Sequence, residues 1–403
     1  MTNKKNILVV GGTGTIGSAV LRSLIKSNPN DQIIATTRRT ADPFPTGVQS
    51  LQVDLLTDPD HIRTSLASLP PITHLIYAGL FVDPAQESPQ SYRTMRRLVK
   101  GTGWVYSNFG WIPNLRTTIE QTIAHSTFAT TKGKENEKML DNILTALEQP
   151  PHQLQHVGLI TGGKFYGMHL SPYIHLDWRT TMREDDPPAP EPNFYYFQEA
   201  RVQTGAQQHG YAFTISRPPY IVGYSDSVGF NLLKSIAIYA TLLKEQGLPL
   251  IFPGDTAAAD AIYAWCDVDL VGHLHAWALD TPTAHNNIFN ISNGNPSSLR
   301  QVWPDIAAAL DMEASFDTPP PPSRQVFKNG RTQWPQIVAK YNLRDIPFEQ
   351  LTKGDSLNLM CTTDWDTHYD LSRLRQAGFT QQADSGAVFR KWIAKLRQDR
   401  IIP

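Results

Sequence analysis

Residues 6–20, NILVVGGTGTIGSAV, decide the fold of this chain. Three glycines follow an apolar strand-like run at three-residue spacing and open a helical segment. That spacing allows a tight turn, close approach of the backbone to a pyrophosphate, and tight packing of the helix on its strand. A glycine turn that only ends a strand is the alternative, but strand, turn and helix are in register, so we predict a dinucleotide-binding turn. The predicted contacts are Gly11, Thr13, Gly14, Thr15, Ile16 and Gly17.

The first 80 residues continue in the same rhythm of strand-like and helix-like segments. The runs QIIATTRR, VQSLQVDL and THLIYAG are typical of strands, and GSAVLRSLIKSN and DHIRTSLASL are typical of helices. Strands separated by helices of this length favour a parallel sheet with helical crossovers. We therefore predict an α/β protein with a Rossmann-type, doubly wound parallel sheet.

The rest of the chain divides less regularly. Residues 84–134 have no clean period, which indicates an inserted segment or a lid. Beyond it, NEKMLDNILTALEQ has a helical apolar face and HVGLITGGK is typical of a buried strand that ends in a glycine turn. We predict a cofactor-binding Rossmann domain over residues 1–225. Residues 226–403 are predicted to form a smaller, mainly substrate-binding C-terminal region that crosses back to the Rossmann core.

The end of the second predicted strand bears on cofactor choice. Arg38 and Arg39 stand where an NAD-binding protein usually has an acidic residue for the ribose 2′-hydroxyl. A guanidinium binds a 2′-phosphate that a carboxylate would repel, so NADP(H) is favoured over NAD(H). Asp54 and Leu55 follow the third strand and are predicted at the adenine, although an Asp there is often only a helix cap. Gly79, after the fourth strand, is a further predicted cofactor contact.

Composition narrows the class of partner. Lys plus Arg (36) and Asp plus Glu (37) leave a formal charge of −1, so no general attraction to nucleic acid or anionic lipid is expected. The two cysteines, Cys266 and Cys361, have no metal-ligand spacing, and no zinc site is expected. No apolar run approaches the roughly 20 residues that span a bilayer. We expect a cytoplasmic protein, monomeric or homodimeric, with a small-molecule substrate.

Two short stretches carry the chemistry. TGGKFY (161–166) follows a strand, and NFYY (193–196) comes thirty residues later. A reaction in which charge develops on a substrate oxygen needs a group that stabilises it, and a tyrosine hydroxyl beside a lysine ammonium can do so. The ammonium is expected to lower the tyrosine pKa. A tyrosine followed four residues later by lysine would be the usual arrangement, but none occurs in a suitable context. A surface lysine and an aromatic core cluster are the plain alternative.

At this point the sequence resembles the progesterone 5β-reductase and iridoid synthase-like (PRISE) family of atypical short-chain dehydrogenases. The resemblance rests on GGTGTIGS, the arginine pair, TGGKFYG, NFYY, SRPPYIVGYS, CDVDLVGHLHAWA and FNISNG. It implies that Lys164 and Tyr195 are the active-site pair, with the lysine first in the chain, and that both residues also contact the cofactor. It also implies that NADPH reduces an activated C=C bond while the tyrosine hydroxyl binds the carbonyl oxygen. Arg217, Pro218 and Ile221 match the family's cofactor-contacting strand end.

Departures from the family pattern bear on the substrate. Phe165 stands where the family has histidine, and the segment from Gly79 to Lys134 is longer than the family's connection. A lipophilic carbonyl compound, such as a terpenoid, a steroid or another specialised metabolite, is the expected substrate. Candidate substrate contacts are Phe81, Trp104, Phe165, Tyr166 and Met360, although Trp104 and Tyr166 could simply be packing residues.

Two alternatives to reduction stay open. One is a redox-neutral cyclisation or isomerisation on the same fold, suggested by the long segment and the altered motif surroundings. The other is a non-catalytic NADP sensor, against which the retention of both Lys164 and Tyr195 argues. His273 and His275 lie in a helical context that separates their side chains, and we interpret them as structural residues rather than ligands.

Overall fold

The computed structural model describes residues 4–38, 44–81, 127–168, 181–188, 193–226, 231–352, 357, 360, 361, 363 and 365–403, with the backbone alone for 127–132. Its strands are β1 (Asn6–Val10), β2 (Gln32–Thr37), β3 (Val48–Gln52), β4 (His74–Tyr77), β5 (His156–Ile160), β6 (Thr181–Met182), β7 (Ala212–Arg217), β8 (Tyr220–Val222), β9 (Leu250–Ile251), β10 (Ile262–Tyr263), β11 (Trp265–Asp267), β12 (Asn287–Asn290), β13 (Ser297–Ser298), β14 (Ala314–Ser315) and β15 (His368–Tyr369).

The helices alternate with these strands. They are α1 (Thr15–Ser27), α2 (Pro59–Leu66), α3 (Thr127–Leu147), α4 (Phe194–His209), α5 (Leu232–Lys244), α6 (Thr256–Asp260), α7 (Val268–Ala278), α8 (Leu299–Ala309), α9 (Ser323–Tyr341), α10 (Phe348–Leu351), α11 (Ser372–Gln376) and α12 (Ser385–Gln398). Two short 3₁₀ turns cover Gly163–Tyr166 and Pro282–Ala284.

A seven-stranded sheet contains the strands β1–β5, β7 and β12. Its order is β12-β7-β5-β4-β1-β2-β3, and every neighbouring pair is parallel. The chain moves outward from β1 to β3 and then returns to β4 on the other side of β1, which places the topological switch between β1 and β4. This confirms the predicted α/β, doubly wound Rossmann-type sheet. Ligands of such sheets bind outside the carboxyl ends of the strands at this switch.

Burial explains why these runs form central strands. All four residues of β4 and all five of β5 are buried, as expected for parallel strands covered on both faces. α2, α3 and α4 pack in sequence along one face, through a core that includes Ile62, Ile143 and Val202. On the other side, a Cβ added to Gly272 of α7 would lie 2.5 Å from the Ala19 carbonyl oxygen of α1, so these helices need glycine to approach so closely.

The chain divides into two compact units. The first contains residues 1–219, 271–291 and 370–380, and the second contains 220–270, 292–369 and 381–403. The division therefore falls at residue 219, close to the predicted boundary at 225, and two later segments return to the first unit. The assignment of substrate binding to residues 226–403 stays a prediction.

The second unit is built around helices and short strand pairs. β8 pairs with β11 and β9 with β14 in parallel, and β10 pairs with β13 antiparallel. α8 packs against α12, and Trp265 and Trp303 are fully buried.

Most of the segment predicted as an insertion lies outside the described residues, from 82 to 126. Its last part, however, is helical, because α3 begins at Thr127 rather than near residue 136. The stretch TFATTKGKE has no apolar period of its own, which is why the sequence did not predict this extension. Among the described helices, none is long and apolar enough to cross a membrane.

Candidate active site

The glycine turn has the geometry that its spacing predicts. Gly11 has φ +80°, and a Cβ there would lie 2.5 Å from the Ala78 carbonyl oxygen. A Cβ on Gly17 would lie 2.0 Å from the Gly11 carbonyl oxygen, so α1 can pack on β1 only without a side chain at this position. Gly14 is the N-cap residue of α1 and supplies no capping side chain. The turn fits a dinucleotide phosphate, because no side chain at the N-cap position occupies the backbone N–H groups at the start of α1.

The remaining predicted cofactor residues surround this turn. Thr13, Thr15 and Ile16 are half-buried, and Gly79 follows β4 with the same exposure. Arg38 is exposed directly after β2, while Arg39 lies outside the described residues. The exposed carboxylate of Asp54 accepts a hydrogen bond from the Leu56 N–H at 3.0 Å, and Leu55 is buried.

Asp54 is not a helix cap. The side chain that caps α2 is that of Asp58, which accepts from the His61 N–H at 2.9 Å. Asp54 therefore does not cap α2. Its contact with the adenine stays a prediction.

Lys164 lies on the 3₁₀ turn that follows β5. The turn is anchored at both ends: the Gly163 N–H donates to the Pro218 carbonyl oxygen at 3.0 Å, and Gly167 closes it with φ +79°. Pro218 is buried, and the Lys164 side chain is exposed. The lysine is thus held by its backbone at the carboxyl end of the sheet, with its side chain directed away from the core.

Tyr195 lies beside this turn. A Cβ added to Gly162 would be 3.6 Å from the Tyr195 hydroxyl oxygen, so the phenol lies over the end of β5. Asn193 connects the two motifs: its Oδ1 accepts from the Tyr195 N–H at 3.0 Å as the N-cap of α4, and its Nδ2 donates to the Lys164 carbonyl oxygen at 3.0 Å. The Tyr196 hydroxyl adds a bond to the Phe165 carbonyl oxygen at 3.1 Å. Lys164 and Tyr195, 31 positions apart in sequence, are therefore both bound by Asn193.

The acidity of Tyr195 differs from the prediction. Burial, with a further contribution from the negative charge of Glu199, raises the pKa of Tyr195 to about 12. The expectation that a neighbouring ammonium lowers this pKa is wrong in this arrangement, because desolvation of the phenol and the negative charge of Glu199 raise it. The hydroxyl is protonated at neutral pH and available as a hydrogen-bond donor.

A buried network of hydrogen bonds lies next to the Lys164 turn and joins the end of β5, helix α4 and the end of β7. The Glu199 carboxylate receives two bonds from the Arg217 guanidinium, at 2.9 and 2.6 Å, and one from the Thr161 hydroxyl at 2.9 Å. Arg217 also donates to the Tyr166 hydroxyl at 3.1 Å, and its guanidinium stacks 3.3 Å from the Phe165 ring centre. Burial alone would lower the pKa of Arg217, but hydrogen bonding and the charge of Glu199 raise it.

This network changes the interpretation of three predicted residues. Arg217 is 2% exposed and its guanidinium binds protein groups, so it supports the turn from within the core, and its predicted place at the cofactor-contacting strand end stays a prediction. Phe165 and Tyr166 are buried against it, and the Tyr166 hydroxyl donates to Asn290 Oδ1 at 2.7 Å. The contacts described above join both side chains to Arg217. Substrate contact by Phe165 or Tyr166 stays a prediction.

The other predicted contacts are spread over the chain. Ile221 lies in β8 of the second unit, where it pairs with Cys266. Met360, also in the second unit, is buried, and its carbonyl oxygen accepts from the Tyr263 hydroxyl at 3.3 Å. In the first unit, the backbone of Phe81 exchanges two hydrogen bonds with the Asn136 side chain, at 2.8 and 3.0 Å. Trp104 lies outside the described residues.

Sequence reasoning missed Asn193 and Glu199. Both had a local signal: Asn193 precedes a helical run, as N-cap residues do, and Glu199 is four residues after Tyr195, on the same helix face. Among the described residues, no group of three His, Cys, Asp or Glu side chains is suited to hold a metal ion.

Comparison with solved structures agrees with the fold. UDP-glucose 4-epimerase from Thermotoga maritima superposes with a TM-score of 0.60 at 15% identity and covers 98% of this chain and 99% of that one. The Thermus thermophilus UDP-glucose 4-epimerase in complex with NAD gives a TM-score of 0.57 at 17% identity, over 97% and 99% of the two chains. At these identities the likeness concerns the fold alone.

Sequence comparison is more specific. An (S)-8-oxocitronellyl enol synthase from Nepeta racemosa is 28% identical over 281 residues, which are 66% of this chain and 68% of that protein. A 3-oxo-Δ(4,5)-steroid 5β-reductase from Arabidopsis thaliana is 26% identical over 66% of this chain and 70% of its own length. The family model of NAD-dependent epimerases and dehydratases matches residues 7–103. The model of the PRISE-like Rossmann-fold domain matches residues 112–403, and the chain therefore belongs to the PRISE-like family that its motifs predicted.

Proposed function

We propose that this protein is an NADP(H)-dependent reductase of a lipophilic α,β-unsaturated carbonyl compound, such as a terpenoid, a steroid or another specialised metabolite. The observation that carries the proposal is the Tyr195 phenol, protonated and held beside the Lys164 turn by Asn193 at the carboxyl end of β5. The kinship with an enol synthase and a steroid 5β-reductase supports the same substrate class.

The cofactor proposal rests on the residues around β1 and β2. The glycine turn from Gly11 to Gly17 accommodates a pyrophosphate, and exposed Arg38 supplies a cation where the ribose 2′-phosphate of NADP(H) would lie. When bound, NADPH supplies the hydride that the β-carbon of the substrate accepts.

Tyr195 has the role of an oxyanion donor. As the β-carbon accepts the hydride, the C=C electrons shift toward the carbonyl, and negative charge develops on the carbonyl oxygen. A phenol with a pKa of about 12 donates a hydrogen bond to this oxygen and stabilises the enolate. Protonation of the α-carbon completes the reduction. The ammonium of Lys164 adds favourable charge at the same end of the sheet.

The test is reduction of a panel of enals and enones by the purified protein with NADPH, followed by NADPH absorbance and product mass. A product heavier by two hydrogens supports the proposal. Tyr195→Phe should lower kcat about 100-fold or more, the usual effect of removing one oxyanion donor, with an unchanged Kd for NADPH. Tyr341→Phe is the matched control, because Tyr341 is an exposed tyrosine of the second unit that bonds only to Glu245 in the contacts described. Full activity in the Tyr195 variant would remove this residue from the mechanism.

A redox-neutral cyclisation is the second candidate, favoured by the enol synthases among the relatives. An isobaric product formed without NADPH oxidation would support it and exclude the reductase. Binding of NADPH without any turnover across the panel would instead favour the sensor.

A further inference from the structure

The chain that leaves β3 forms a tight turn, the β3 turn, at residues 54–57. The backbone N–H and the hydroxyl of Thr57 both donate to the Asp54 carbonyl oxygen, at 3.3 and 2.6 Å. One oxygen of the Asp54 carboxylate, Oδ1, accepts from the Leu56 N–H at 3.0 Å. These bonds tie both the backbone and the side chain of Asp54 to the rest of the turn.

Asn142 holds the β3 turn from the side of the core. It lies on α3 and is 6% exposed, and its Nδ2 donates to the carbonyl oxygens of Leu55 and Thr57. One side-chain amide thus binds two residues of the turn. The buried Leu55 side chain belongs to the same apolar core as Ile143, the next residue of α3. The turn is therefore fixed on α3 by polar and apolar contacts together.

The β3 turn begins next to the end of β2. Thr37, the last residue of β2, pairs with the last residue of β3, and its carbonyl oxygen accepts from the Val53 N–H at 2.9 Å. Arg38 directly follows Thr37, and Asp54 directly follows Val53. The residue proposed at the ribose 2′-phosphate and the residue predicted at the adenine therefore leave neighbouring strands side by side. The adenosine half of one NADP(H) molecule can reach both.

The Asp54 carboxylate suits one purine substituent. An ionised carboxylate only accepts hydrogen bonds, and its two oxygens have lone pairs for several donors. With the Leu56 N–H on Oδ1, the carboxylate at this exposed position can accept a further bond from a ligand. Adenine presents an amino group as a donor, whereas hypoxanthine has a carbonyl oxygen at the same ring position, which a carboxylate repels.

We propose that Asn142 is a positioning residue for adenine recognition: it holds the β3 turn so that the Asp54 carboxylate accepts the adenine amino group of NADP(H). The inference rests on the proposed function and deepens it. In this role Asn142 acts through Thr57, which it binds directly and which in turn binds the Asp54 carbonyl oxygen. A carboxylate held in one place discriminates between purines, because it cannot turn away from a ligand that it repels.

The same helix supplies a matched control. Asn136, six residues earlier on α3, is fully buried, and its side chain exchanges two hydrogen bonds with the backbone of Phe81, at 2.8 and 3.0 Å. Phe81 follows β4 rather than β3. Asn136→Ala therefore removes an asparagine that binds a loop backbone in a similar way, but it does not remove a bond to the β3 turn.

The experiment compares NADP⁺ with its analogue in which hypoxanthine replaces adenine, by isothermal titration calorimetry without substrate. The wild-type protein should bind NADP⁺ about tenfold or more tightly, through one charge-assisted bond that the analogue cannot form. Asp54→Ala should reduce this ratio of Kd values to about one. Asn142→Ala should reduce it to below about threefold, whereas Asn136→Ala should retain the wild-type ratio. The double variant Asp54→Ala, Asn142→Ala should match Asp54→Ala, because both residues act on one contact.

The ratio separates positioning from a purely structural role. A loss of stability weakens the binding of both nucleotides equally and leaves the ratio unchanged. Asn142→Ala leaves two carbonyl oxygens without this donor, which can prevent folding. Thr57→Val is therefore the second variant. It keeps the bonds from Asn142 and removes only the hydroxyl bond to the Asp54 carbonyl oxygen, and the ratio should fall in the same direction.

An unchanged ratio in Asn142→Ala, or in Thr57→Val where Asn142→Ala does not fold, would overturn the inference. So would an equal fall in Asn136→Ala, or a wild-type protein that binds both nucleotides with the same affinity. Each of these results leaves the proposed NADP(H) binding standing. Failure of the wild-type protein to bind either nucleotide would instead contradict the proposed cofactor, and the inference with it.

Discussion

The two ends of the central sheet bury polar groups in opposite ways. At the carboxyl end, Glu199 and Arg217 form a buried ion pair with two hydrogen bonds. At the amino end, the imidazoles of His74 and His156 start β4 and β5 with ring centres 6.3 Å apart, and burial lowers the pKa of His74 to about 4 and that of His156 well below its usual value. Nearer the middle, burial lowers the pKa of His275 to about 3.

The difference lies in the partners. The Arg217 guanidinium meets a carboxylate, so attraction and hydrogen bonds outweigh the loss of hydration. The buried histidines meet hydroxyls, Thr214 for His156 and Ser216 for His275, and within the described residues the Nδ1 atoms of both rings have no hydrogen-bond partner. Without an opposite charge, burial favours the neutral form. The buried Arg217–Glu199 pair therefore keeps its charges at the carboxyl end, where the chemistry is proposed, whereas burial disfavours charge on these histidines.

The largest expected effect is at the carboxyl end, in the glycine turn. Gly17→Ala places a Cβ against the Gly11 backbone, which cannot move as a flexible side chain does. We expect the Kd for NADPH to rise at least about 100-fold, from about 3 kcal/mol of overpacking and turn distortion. Isothermal titration calorimetry measures this change.

Gly133→Ala in α3 is the control for that variant. A Cβ at Gly133 would meet its nearest atom at 3.7 Å, and alanine stabilises a helix by about 0.5–1 kcal/mol relative to glycine. NADPH affinity should not change. Equal losses in the two variants would show that the glycine turn has no special role.

The next largest effect concerns the pH dependence of stability that the buried His275 causes. Because the pKa of His275 is lowered on folding, the unfolded chain binds a proton below pH 6.5 that the folded chain does not. Stability is therefore present above that pH and is lost as the pH falls toward the folded value. Between pH 7 and 5, this one histidine should cost about 2 kcal/mol of the free energy of unfolding.

Urea unfolding at the two pH values measures this loss. His275→Gln should reduce the pH dependence by that share, whereas His61→Gln, at an exposed position of α2, should not alter it. A pH dependence that survives unchanged in the His275 variant would contradict the neutral-imidazole description.

A variant of Arg38 tests whether the protein prefers NADPH to NADH. Arg38→Ala should raise the KM for NADPH about tenfold, through loss of one charge-assisted contact, and leave the KM for NADH unchanged. Arg22→Ala, an exposed arginine of α1, should change neither. Equal changes with both cofactors would exclude a 2′-phosphate contact.

The smallest effect tests the support of the catalytic pair. Asn193→Asp retains the cap on α4 but loses the donor to the Lys164 carbonyl oxygen, so kcat should fall about tenfold. Asn231 has the same two roles, capping α5 and donating to the Gly223 carbonyl oxygen at 2.9 Å. Asn231→Asp should match the Asn193 variant in stability, within about 1 kcal/mol, but keep its activity.

Much of this protein could be predicted from its sequence because the signals are local. The glycine spacing and the strand–helix alternation predicted the sheet, since backbone geometry and burial act over neighbouring residues. The motifs of Lys164 and Tyr195 indicated the family, which the family comparison confirmed. The helix start at Thr127 was missed because its first turns have no apolar face.

The tertiary structure decided what long-range contacts control. Only folding buries the Tyr195 phenol and brings Glu199 near it, and burial first and the Glu199 charge second raise the Tyr195 pKa where the sequence predicted that a lysine would lower it. Residue types along the chain say which groups can ionise, but burial and the charges of distant neighbours decide whether they do. The sequence by itself determined the fold and the pair of motifs, and the packing of α4 near the end of β5 determined the surroundings of the Tyr195 phenol.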